Sequence, residues 1–337
     1  MVSLDAFADD LPGSSEFIRL LTKTAVLYHE EGLTQAQVAQ RLQLSQTRVS
    51  RYLKEAEEFG IVRTSIVQPL GIHVGLEKAI EDKYGLREVV VVDHIEGASL
   101  LTRLGSSAAT YLETTLARDD VVGISSWSST LLATAEAMRS RPRRVVKAVT
   151  QLIGGVGSPQ AQVLATRMTS HLAQLLSAKP HYLAAPGVCQ DSTVRQAFLS
   201  DPAVQETVRA WGTITSLLVG VGTFPASPMI AASGNVLSNE EQELIAQSGA
   251  VGEICLRYFE ADGKPMKLSV DERIIAIDSP TLLSIPRRIG VAGGMHKLEA
   301  IRAALLGGWL NILITDSKVA INLLEPPRTR PRKTPRR

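Results

Sequence analysis

Short apolar runs alternate with helical stretches through most of this chain, and this alternation limits its possible folds more than any other feature. EVVVVD (88–93) and DVVGIS (120–125) each precede a stretch with helical periodicity, at about 98–117 and 129–139. The pattern continues with VVKAVTQLIGG (145–155), a helix at about 160–177, and the runs HYLAAP (181–186), SLLVGVG (216–222), RIIAID (273–278) and NILITD (311–316). Continuous apolar runs between helices are typical of parallel strands covered on both faces. We therefore predict an α/β domain with a Rossmann-like, mostly parallel sheet over residues 76–325.

A second pattern, in residues 17–60, predicts three short helices. The first helix, IRLLTKTAVLYHEEG, ends at a glycine. Thr34 can cap the next helix, with Gln37 three residues later completing a capping box. Ser45 can cap a third helix, and Gly60 supplies the left-handed position that ends it. Two capped helices joined by a short turn indicate a helix-turn-helix, and VRTSIV (62–67) can add a strand as its wing.

The third helix separates an apolar side from a basic side. At about 100° per residue, Val49, Leu53 and Ala56 fall together. The opposite side carries Thr47, Ser50, Arg51 and Lys54, with Arg48 beside them, and the acidic residues come only after Lys54. The major groove of B-DNA accepts one helix, and arginine can bind guanine there through two hydrogen bonds. We predict DNA contacts from Thr34, Gln35, Ser45, Gln46, Thr47, Arg48, Ser50, Arg51 and Lys54; the alternative is a protein-binding use of the same fold.

This segment carries a family resemblance. TAVLYHEEGLTQAQVAQRLQLSQTRVSRYLKEAEEFGIVR resembles the N-terminal domain of the SorC/DeoR-type sugar-responsive bacterial transcriptional regulators. Those regulators pair a winged helix-turn-helix with a larger effector-binding domain. The resemblance implies that the third helix is the recognition helix.

A serine-rich loop follows one of the predicted strands. In GISSWSST (123–130), hydroxyl groups accompany the first backbone N–H groups of a helix, which suits a phosphate. Ligands of open parallel sheets bind beyond the carboxyl ends of the strands, where this loop lies. The same serines can equally be helix caps. The glycine pair in LIGGVG (152–157) lets a backbone approach a ligand, but alone it is weak support.

The resemblance extends over the second domain. Seven segments are similar, in order, to segments of the SorC-type effector domain: SWSSTL, QLIGGVG, YLAAPGV, LVGVGTFP, GAVGEICLRYFEADG, IPRRIGVAGGMHKLEAIRAALLGG and NILITDSKVAINLL. That domain resembles sugar-phosphate isomerases and binds phosphorylated sugars. By position, the resemblance implies effector contacts from Ser126, Trp127, Ser128, Ser129, Thr130, Gly154, Gly155, Asp262 and Lys297. Each has an alternative role: Trp127 in packing, Asp262 in an Asp-Gly turn and Lys297 on the surface. Asp316 is expected to cap the final helix.

Three positions depart from the family pattern. Ser128 replaces a glycine of the serine-rich loop, so a hydroxyl can approach the anion there. Ile153 stands before the glycine pair, where some relatives have a lysine that holds an aldehyde sugar. Ser317 replaces an acidic residue after Thr-Asp. These departures imply an effector that is bound without a covalent bond.

Charge and composition complete the domain plan. We expect a flexible segment 1–15, a helix-turn-helix domain 16–67, a linker 68–75, the effector domain 76–325 and a disordered tail 326–337. The tail PPRTRPRKTPRR holds six of the 36 basic residues and none of the 34 acidic ones, so the rest of the chain is mildly acidic. The tail either attracts DNA phosphates or is merely solvated.

The remaining features exclude several protein classes. The start of the chain lacks the pattern of a signal peptide, and its apolar stretches are too short to span a bilayer. Cys189 and Cys255 form no CxxC pair, which predicts buried, reduced thiols in a cytoplasmic protein. The six histidines show no metal-ligand spacing, so we expect neither a metal nor a cofactor.

The helix-turn-helix and the resemblance together predict a regulator that binds operator DNA. The resemblance implies that it is a homo-oligomer, a dimer or a tetramer, and that its effector is a phosphorylated sugar or polyol. The alternative is a sugar-phosphate isomerase with an appended DNA-binding domain, but no carboxylate–histidine or carboxylate–lysine set has a recognisable catalytic spacing. A DNA-binding structural protein with an inert second domain is a third possibility, in which the loop of anion donors would have no use.

Overall fold

The computed structural model describes residues 15–63, 71–125, 127–140, 145–156, 159–223 and 237–326. The chain divides between Gln68 and Pro69 into an N-terminal unit and a C-terminal unit. Residues 1–14 of the predicted flexible segment, residues 64–67 of the predicted wing strand and residues 327–337 of the predicted tail lie outside the described residues. The linker predicted at 68–75 overlaps a helix that begins at Val74.

The N-terminal unit contains α1 (Ser15–Ala25), α2 (Gln35–Leu42) and α3 (Gln46–Glu58), and a π-helical turn, Val26–Glu30, follows α1. The predicted caps are present. Thr34 and Gln37 form the capping box of α2, and the Ser45 hydroxyl accepts a hydrogen bond from the Arg48 N–H at 3.2 Å. Gly60 has a φ of 68°, in the left-handed region. These local contacts fix where α2 and α3 begin and end.

Two small apolar clusters hold the three helices together. One contains Leu27, Val38, Ala39, Val49 and Leu53, and the other contains Leu21, Ala25, Tyr52 and Ala56. Helix α3 contributes to both, so its inner side is buried along most of its length. The predicted apolar side of α3 was therefore right, but it also includes Tyr52, which is 1% exposed.

The C-terminal unit is built on a seven-stranded parallel sheet. Its strands are β1 (Glu88–Val92), β2 (Val121–Ile124), β3 (Ala148–Gln151), β4 (Lys179–His181), β5 (Ser216–Val219), β8 (Arg287–Val291) and β9 (Ile312–Asp316). Their order is β1-β9-β8-β5-β2-β3-β4, and every pairing is parallel. From β2 the chain runs outward through β3 to β4 and then returns to β5 on the other side of β2. The β2/β5 boundary is therefore a topological switch point, where ligands of such sheets bind.

Helices cover both faces of the sheet. They are α4 (Val74–Tyr84), α5 (Leu100–Thr115), α6 (Ser129–Ala137), α7 (Pro159–Leu175), α8 (Ser192–Ser200), α9 (Pro202–Trp211), α10 (Asn239–Gln247), α11 (Ser279–Ser284), α12 (Leu298–Leu306) and α13 (Ser317–Leu324). Leu217 and Val219 pack into one apolar cluster with α4, α9 and α12, whereas Leu218 packs into the other with α5, α6 and α7. This alternation confirms the prediction of a sheet buried on both sides.

Two of the predicted strands were placed wrongly. HYLAAP (181–186) shares only His181 with β4. RIIAID (273–278) lies outside the seven-stranded sheet and makes isolated backbone bridges instead, from Ala276 to Ile153 and from Ile274 to Val188. Arg257 donates hydrogen bonds to the carbonyls of Ala276 and Ile277, both at 2.9 Å. Strand β8 was missed as a separate run, since it begins with two arginines.

A short antiparallel hairpin, β6 (Gly252–Ile254) and β7 (Arg257–Phe259), is also present in the C-terminal unit. Its two-residue turn is Cys255-Leu256. Cys255 and Cys189 are both buried, unpaired thiols. Within the described ranges, no helix has the length and apolar character needed to cross a membrane.

An ion pair at the amino end of the sheet gives a test of this fold. The Asp120 carboxylate lies 3.3 Å from the Arg287 guanidinium and accepts a hydrogen bond from Thr215 at 2.6 Å. Their side chains are only 12% and 13% exposed. Removing one member of a buried pair typically costs about 3–5 kcal/mol, because the other charge is left without a partner.

We expect Asp120→Ala to lower the free energy of unfolding of the C-terminal unit by about 3 kcal/mol. Urea titration followed by tryptophan fluorescence measures this unit alone, since all three tryptophans, at 127, 211 and 309, lie in it. The exposed neighbour Asp119 provides the matched control, and Asp119→Ala should change the value by less than about 0.5 kcal/mol. Equal effects of the two substitutions would contradict the buried-pair assignment.

Candidate functional site

The outer side of α3 is exposed and basic. The predicted contacts on α3, Gln46, Thr47, Arg48, Ser50, Arg51 and Lys54, are all exposed, as are the caps Thr34 and Ser45, whereas Gln35 is half-buried. The acidic residues do not simply lie beyond this face. Arg51 lies 3.6 Å from Glu55, and Lys54 lies 3.7 Å from Glu58. Exposed pairs of this kind contribute about 0–1 kcal/mol, so both cations remain available to a polyanion.

A cavity lies in the C-terminal unit at the carboxyl ends of β2, β3, β5 and β8, which is the switch point of the sheet. It is lined by Ser125, Trp127, Ser128, Ser129, Ile153, Gly220, Val221, Gly222, Glu253, Cys255, Leu256 and Lys297. The space open to the centres of water molecules is about 40 Å³. At roughly 10–15 Å³ for each water, the cavity holds a few waters or one small polar group.

A carboxyl group and an ammonium group line this cavity. The Glu253 carboxylate accepts a hydrogen bond from the Leu256 N–H at 2.7 Å, and Lys297 Nζ donates one to the Val221 carbonyl at 2.8 Å. Burial raises the pKa of Glu253 above its usual value, while the Leu256 N–H and the Lys297 charge act in the opposite direction. Burial likewise lowers the pKa of Lys297, and the Glu253 charge acts to raise it. The cavity therefore penalises both charges and leaves each only partly compensated.

Gly222 lets Glu253 reach this position. The two residues exchange backbone hydrogen bonds, Gly222 N–H to Glu253 O at 2.9 Å and Glu253 N–H to Gly222 O at 3.1 Å. A Cβ atom at Gly222 would overlap the Glu253 carboxylate. The glycine is thus required by the close approach of a side chain.

The turn of the hairpin forms another wall of the cavity. Cys255 and Leu256 have φ values of 56° and 60°, and both side chains are buried. Two consecutive left-handed residues make a type I′ turn, for which asparagine and glycine are usual because larger side chains strain the backbone. Burial raises the pKa of the Cys255 thiol, which keeps it protonated. Strain of this kind is typical of functional sites, where the surrounding structure holds it in place.

The serine-rich loop is only partly free to bind a ligand. Ser126 lies outside the described residues. Ser128 caps α6, and its hydroxyl is 2.7 Å from that of Thr130. Thr130 donates to the Val291 carbonyl at 3.1 Å and does not line the cavity, whereas Ser129 does. Trp127 is 5% exposed, and its indole N–H has no hydrogen-bond partner among the described residues.

Besides Thr130, three of the predicted contacts do not line the cavity. Gly154 packs against the Pro186 carbonyl, and Gly155 forms a backbone bridge to the same proline, so Ile153 is the residue of this segment that lines the cavity. Asp262 is exposed and accepts a hydrogen bond from the Lys264 N–H at 3.0 Å, which is the turn role. Gly154, Gly155 and Asp262 therefore contact other residues of the C-terminal unit and not the cavity.

Asp316 caps the final helix α13, as expected, by accepting hydrogen bonds from the Lys318 and Val319 N–H groups. Among the residues that the structure describes, no group of three or more His, Cys, Asp or Glu could hold a metal ion.

Several residues that line the cavity were not among the predicted effector contacts. Gly220, Val221 and Gly222 directly follow β5, so the run SLLVGVG carried a usable signal: glycines at the carboxyl end of a predicted parallel strand. Glu253, Cys255 and Leu256 gave no such signal, since they come from an antiparallel hairpin that the pattern of parallel strands does not indicate.

Both units of the chain match known protein families. A family model described as "Putative sugar-binding domain" matches residues 69–325, and one described as "Winged helix-turn-helix DNA-binding" matches residues 25–63. The chain is 30% identical over 304 residues to the deoxyribonucleoside regulator of Bacillus subtilis (strain 168), covering 90% of this chain and 96% of that protein. It is 29% identical over 320 residues to the sorbitol operon regulator of Klebsiella pneumoniae, covering 93% and 99%.

Solved structures show the same likeness. The full-length sorbitol operon regulator SorC from Klebsiella pneumoniae matches with a TM-score of 0.70 at 28% identity, covering 92% of this chain and 100% of that one. The sugar-binding domain of the transcriptional regulator DeoR from Pseudomonas syringae pv. tomato matches with a TM-score of 0.60 at 36% identity, covering 75% and 99%.

The contact between Gly222 and Glu253 can be tested directly. Gly222→Ala should lower the free energy of unfolding of the C-terminal unit by about 1–3 kcal/mol, because the new methyl group must displace the carboxylate. Gly212→Ala is the matched control, since a Cβ there would be 3.6 Å from its nearest neighbour, the Arg209 carbonyl. Urea titration measures both. Comparable stability of the two variants would show that Glu253 does not depend on the glycine.

The raised pKa of Glu253 predicts a pH dependence with a definite sign. Between its usual value of 4.5 and its raised value, the folded protein holds a proton that the unfolded chain has released, so stability falls as pH rises through this window. Glu253→Gln keeps an acceptor for the Leu256 N–H and has no proton to lose. Its stability relative to the wild type should therefore increase from about pH 4 upward. Urea titrations over a pH series measure the difference, and parallel curves for the two proteins would contradict the assignment.

Proposed function

The chain belongs to the SorC/DeoR family of sugar-binding transcriptional regulators, and from that premise we propose that it controls genes for the use of a carbohydrate or polyol. Its relatives are transcriptional regulators, not enzymes. In this proposal α3 binds operator DNA, and a phosphorylated sugar or polyol binds in the cavity of the C-terminal unit and changes the affinity for DNA.

One observation carries the effector proposal: the cavity combines donors for an anion with an acceptor for hydroxyl groups. Lys297 supplies a positive charge, and the first turn of α6, at Ser128 and Ser129, supplies hydroxyls beside the positive end of the helix dipole. Glu253 can accept from a ligand hydroxyl, and the indole N–H of Trp127 offers a further donor. A phosphorylated polyhydroxy compound has both kinds of group.

The arrangement favours binding without a covalent bond. Ile153 lines the cavity beside the glycine pair and has no amine to form an imine. The Lys297 amine, on a different segment, is already hydrogen-bonded to the Val221 carbonyl. The small described cavity fits one polar end of such a ligand, with Lys297 and Glu253 close to it.

Control of DNA binding then follows from linkage. DNA favours one of two arrangements of the protein, and the effector also favours one of them. The coupling free energy between two such sites is typically about 1–3 kcal/mol, which changes the affinity for the operator about five- to 150-fold. Paired recognition helices must match the spacing of operator half-sites, so we propose that the protein acts as a dimer or a tetramer.

The proposal is tested with the full-length chain and two paired variants. The wild type is used to enrich duplexes from a random DNA pool, and a panel of phosphorylated sugars and polyols is screened by thermal shift, because a bound ligand raises the melting temperature. Lys297→Met should weaken effector binding about tenfold or more, the effect of losing a buried charged donor, and leave DNA binding intact. Arg51→Ala should weaken DNA binding and leave the thermal shift intact.

Each variant is the control for the other. If the wild type enriches no duplex, the DNA-binding proposal fails. If no compound of the panel shifts the melting temperature, or if Lys297→Met responds like the wild type, the effector proposal fails. Turnover of a panel compound without selective DNA binding would favour the isomerase alternative.

A further inference from the structure

Tyr52 lies between the buried side and the basic side of α3. Its side chain is 1% exposed and packs edge-on against Phe17 of α1, with ring centroids 5.7 Å apart and an interplanar angle of 78°. It also belongs to the apolar cluster of Leu21, Ala25 and Ala56. The position of the phenol is therefore fixed by the core of the N-terminal unit.

The same phenol contacts two arginines of the exposed side. Arg48 Nε donates a hydrogen bond to the Tyr52 hydroxyl at 2.7 Å, and the Arg48 guanidinium carbon is 5.3 Å from the centre of the ring. The guanidinium carbon of Arg51 is 5.7 Å from the same centre. One buried ring thus supports both arginines of the predicted DNA-binding face.

The Arg48 hydrogen bond limits how this residue can contact DNA. A guanidinium has five N–H donors in a rigid fork, and Nε carries one of them. With Nε directed at Tyr52, the two terminal nitrogens are the pair left to make a bidentate contact. Such a pair matches O6 and N7 of guanine or two phosphate oxygens. A side chain held in its binding geometry also loses less conformational freedom on binding.

We propose that Tyr52 is a positioning residue for DNA recognition: it holds Arg48 so that its terminal nitrogens face the groove, and its ring supports Arg51. This inference rests on the proposed DNA-binding role of α3. A purely structural role is the competing explanation, because a buried tyrosine hydroxyl usually needs a hydrogen-bond partner and Arg48 can serve as one. In that case the pair would matter for stability alone.

A double-mutant cycle separates the two explanations. Dissociation constants are measured for the full-length wild type, Tyr52→Phe, Arg48→Ala and the double variant on a duplex that the wild type enriched from a random pool. We expect Tyr52→Phe to weaken binding about threefold to tenfold, the size of one net hydrogen bond. Arg48→Ala should weaken it further, and the double variant should bind no more weakly than Arg48→Ala, because Tyr52 acts through Arg48. Tyr28→Phe, at a half-buried tyrosine of the same unit, is the control and should bind like the wild type.

Two results would overturn the proposal: wild-type affinity in Tyr52→Phe, or independent effects that multiply in the double variant. If Tyr52→Phe does not fold, Arg48→Lys decides the question. It keeps the charge but lacks both Nε and the planar fork, so we expect binding close to that of Arg48→Ala, whereas wild-type affinity would show that charge alone matters. A wild type that selects no duplex would instead refute the DNA-binding proposal itself.

Discussion

A parallel sheet brings the carboxyl ends of all its strands to one edge, and the cavity depends on this constraint. Segments that are far apart in the chain, at 125, 127–129, 153, 220–222 and 297, meet there because each follows a strand of the same sheet. No single segment forms the site. Of the lining residues that the structure describes, only Glu253, Cys255 and Leu256 come from elsewhere. The backbone pairing of Glu253 with Gly222 joins their hairpin to the chain after β5.

Glu253 and Lys297 place a carboxyl group and an ammonium group at this meeting point. A sheet edge lined only by backbone N–H groups and lysine would favour any small anion. The Glu253 carboxyl group opposes a simple anion and favours a ligand that also donates hydrogen bonds. Burial raises the pKa of Glu253 and lowers that of Lys297, and the charge of each acts against the shift of the other. A ligand that satisfies both groups therefore gains from each.

Local chemistry was predictable from the sequence, and contacts between distant segments were less so. The caps Thr34 and Ser45 and the C-terminal Gly60 depend on neighbouring residues only, and all three are as predicted. The parallel sheet followed from the spacing of its apolar runs. RIIAID was misplaced because its backbone partners are isolated bridges to Ile153 and Val188 and the side chain of Arg257, all of which come from distant segments. For the same reason no sequence pattern indicated Glu253. No pattern showed that Tyr52 would contact both the apolar cluster and the two arginines of the exposed side of α3.

The left-handed turn at Cys255-Leu256 also determines how the cavity can change shape. Both residues occupy a backbone conformation that their side chains disfavour, and the hairpin that holds them is bridged to Gly222. The pairing of Glu253 with Tyr258 and the backbone hydrogen bonds to Gly222 hold the hairpin on its two sides. A movement that enlarges the cavity here would therefore have to carry the hairpin and the chain after β5 together.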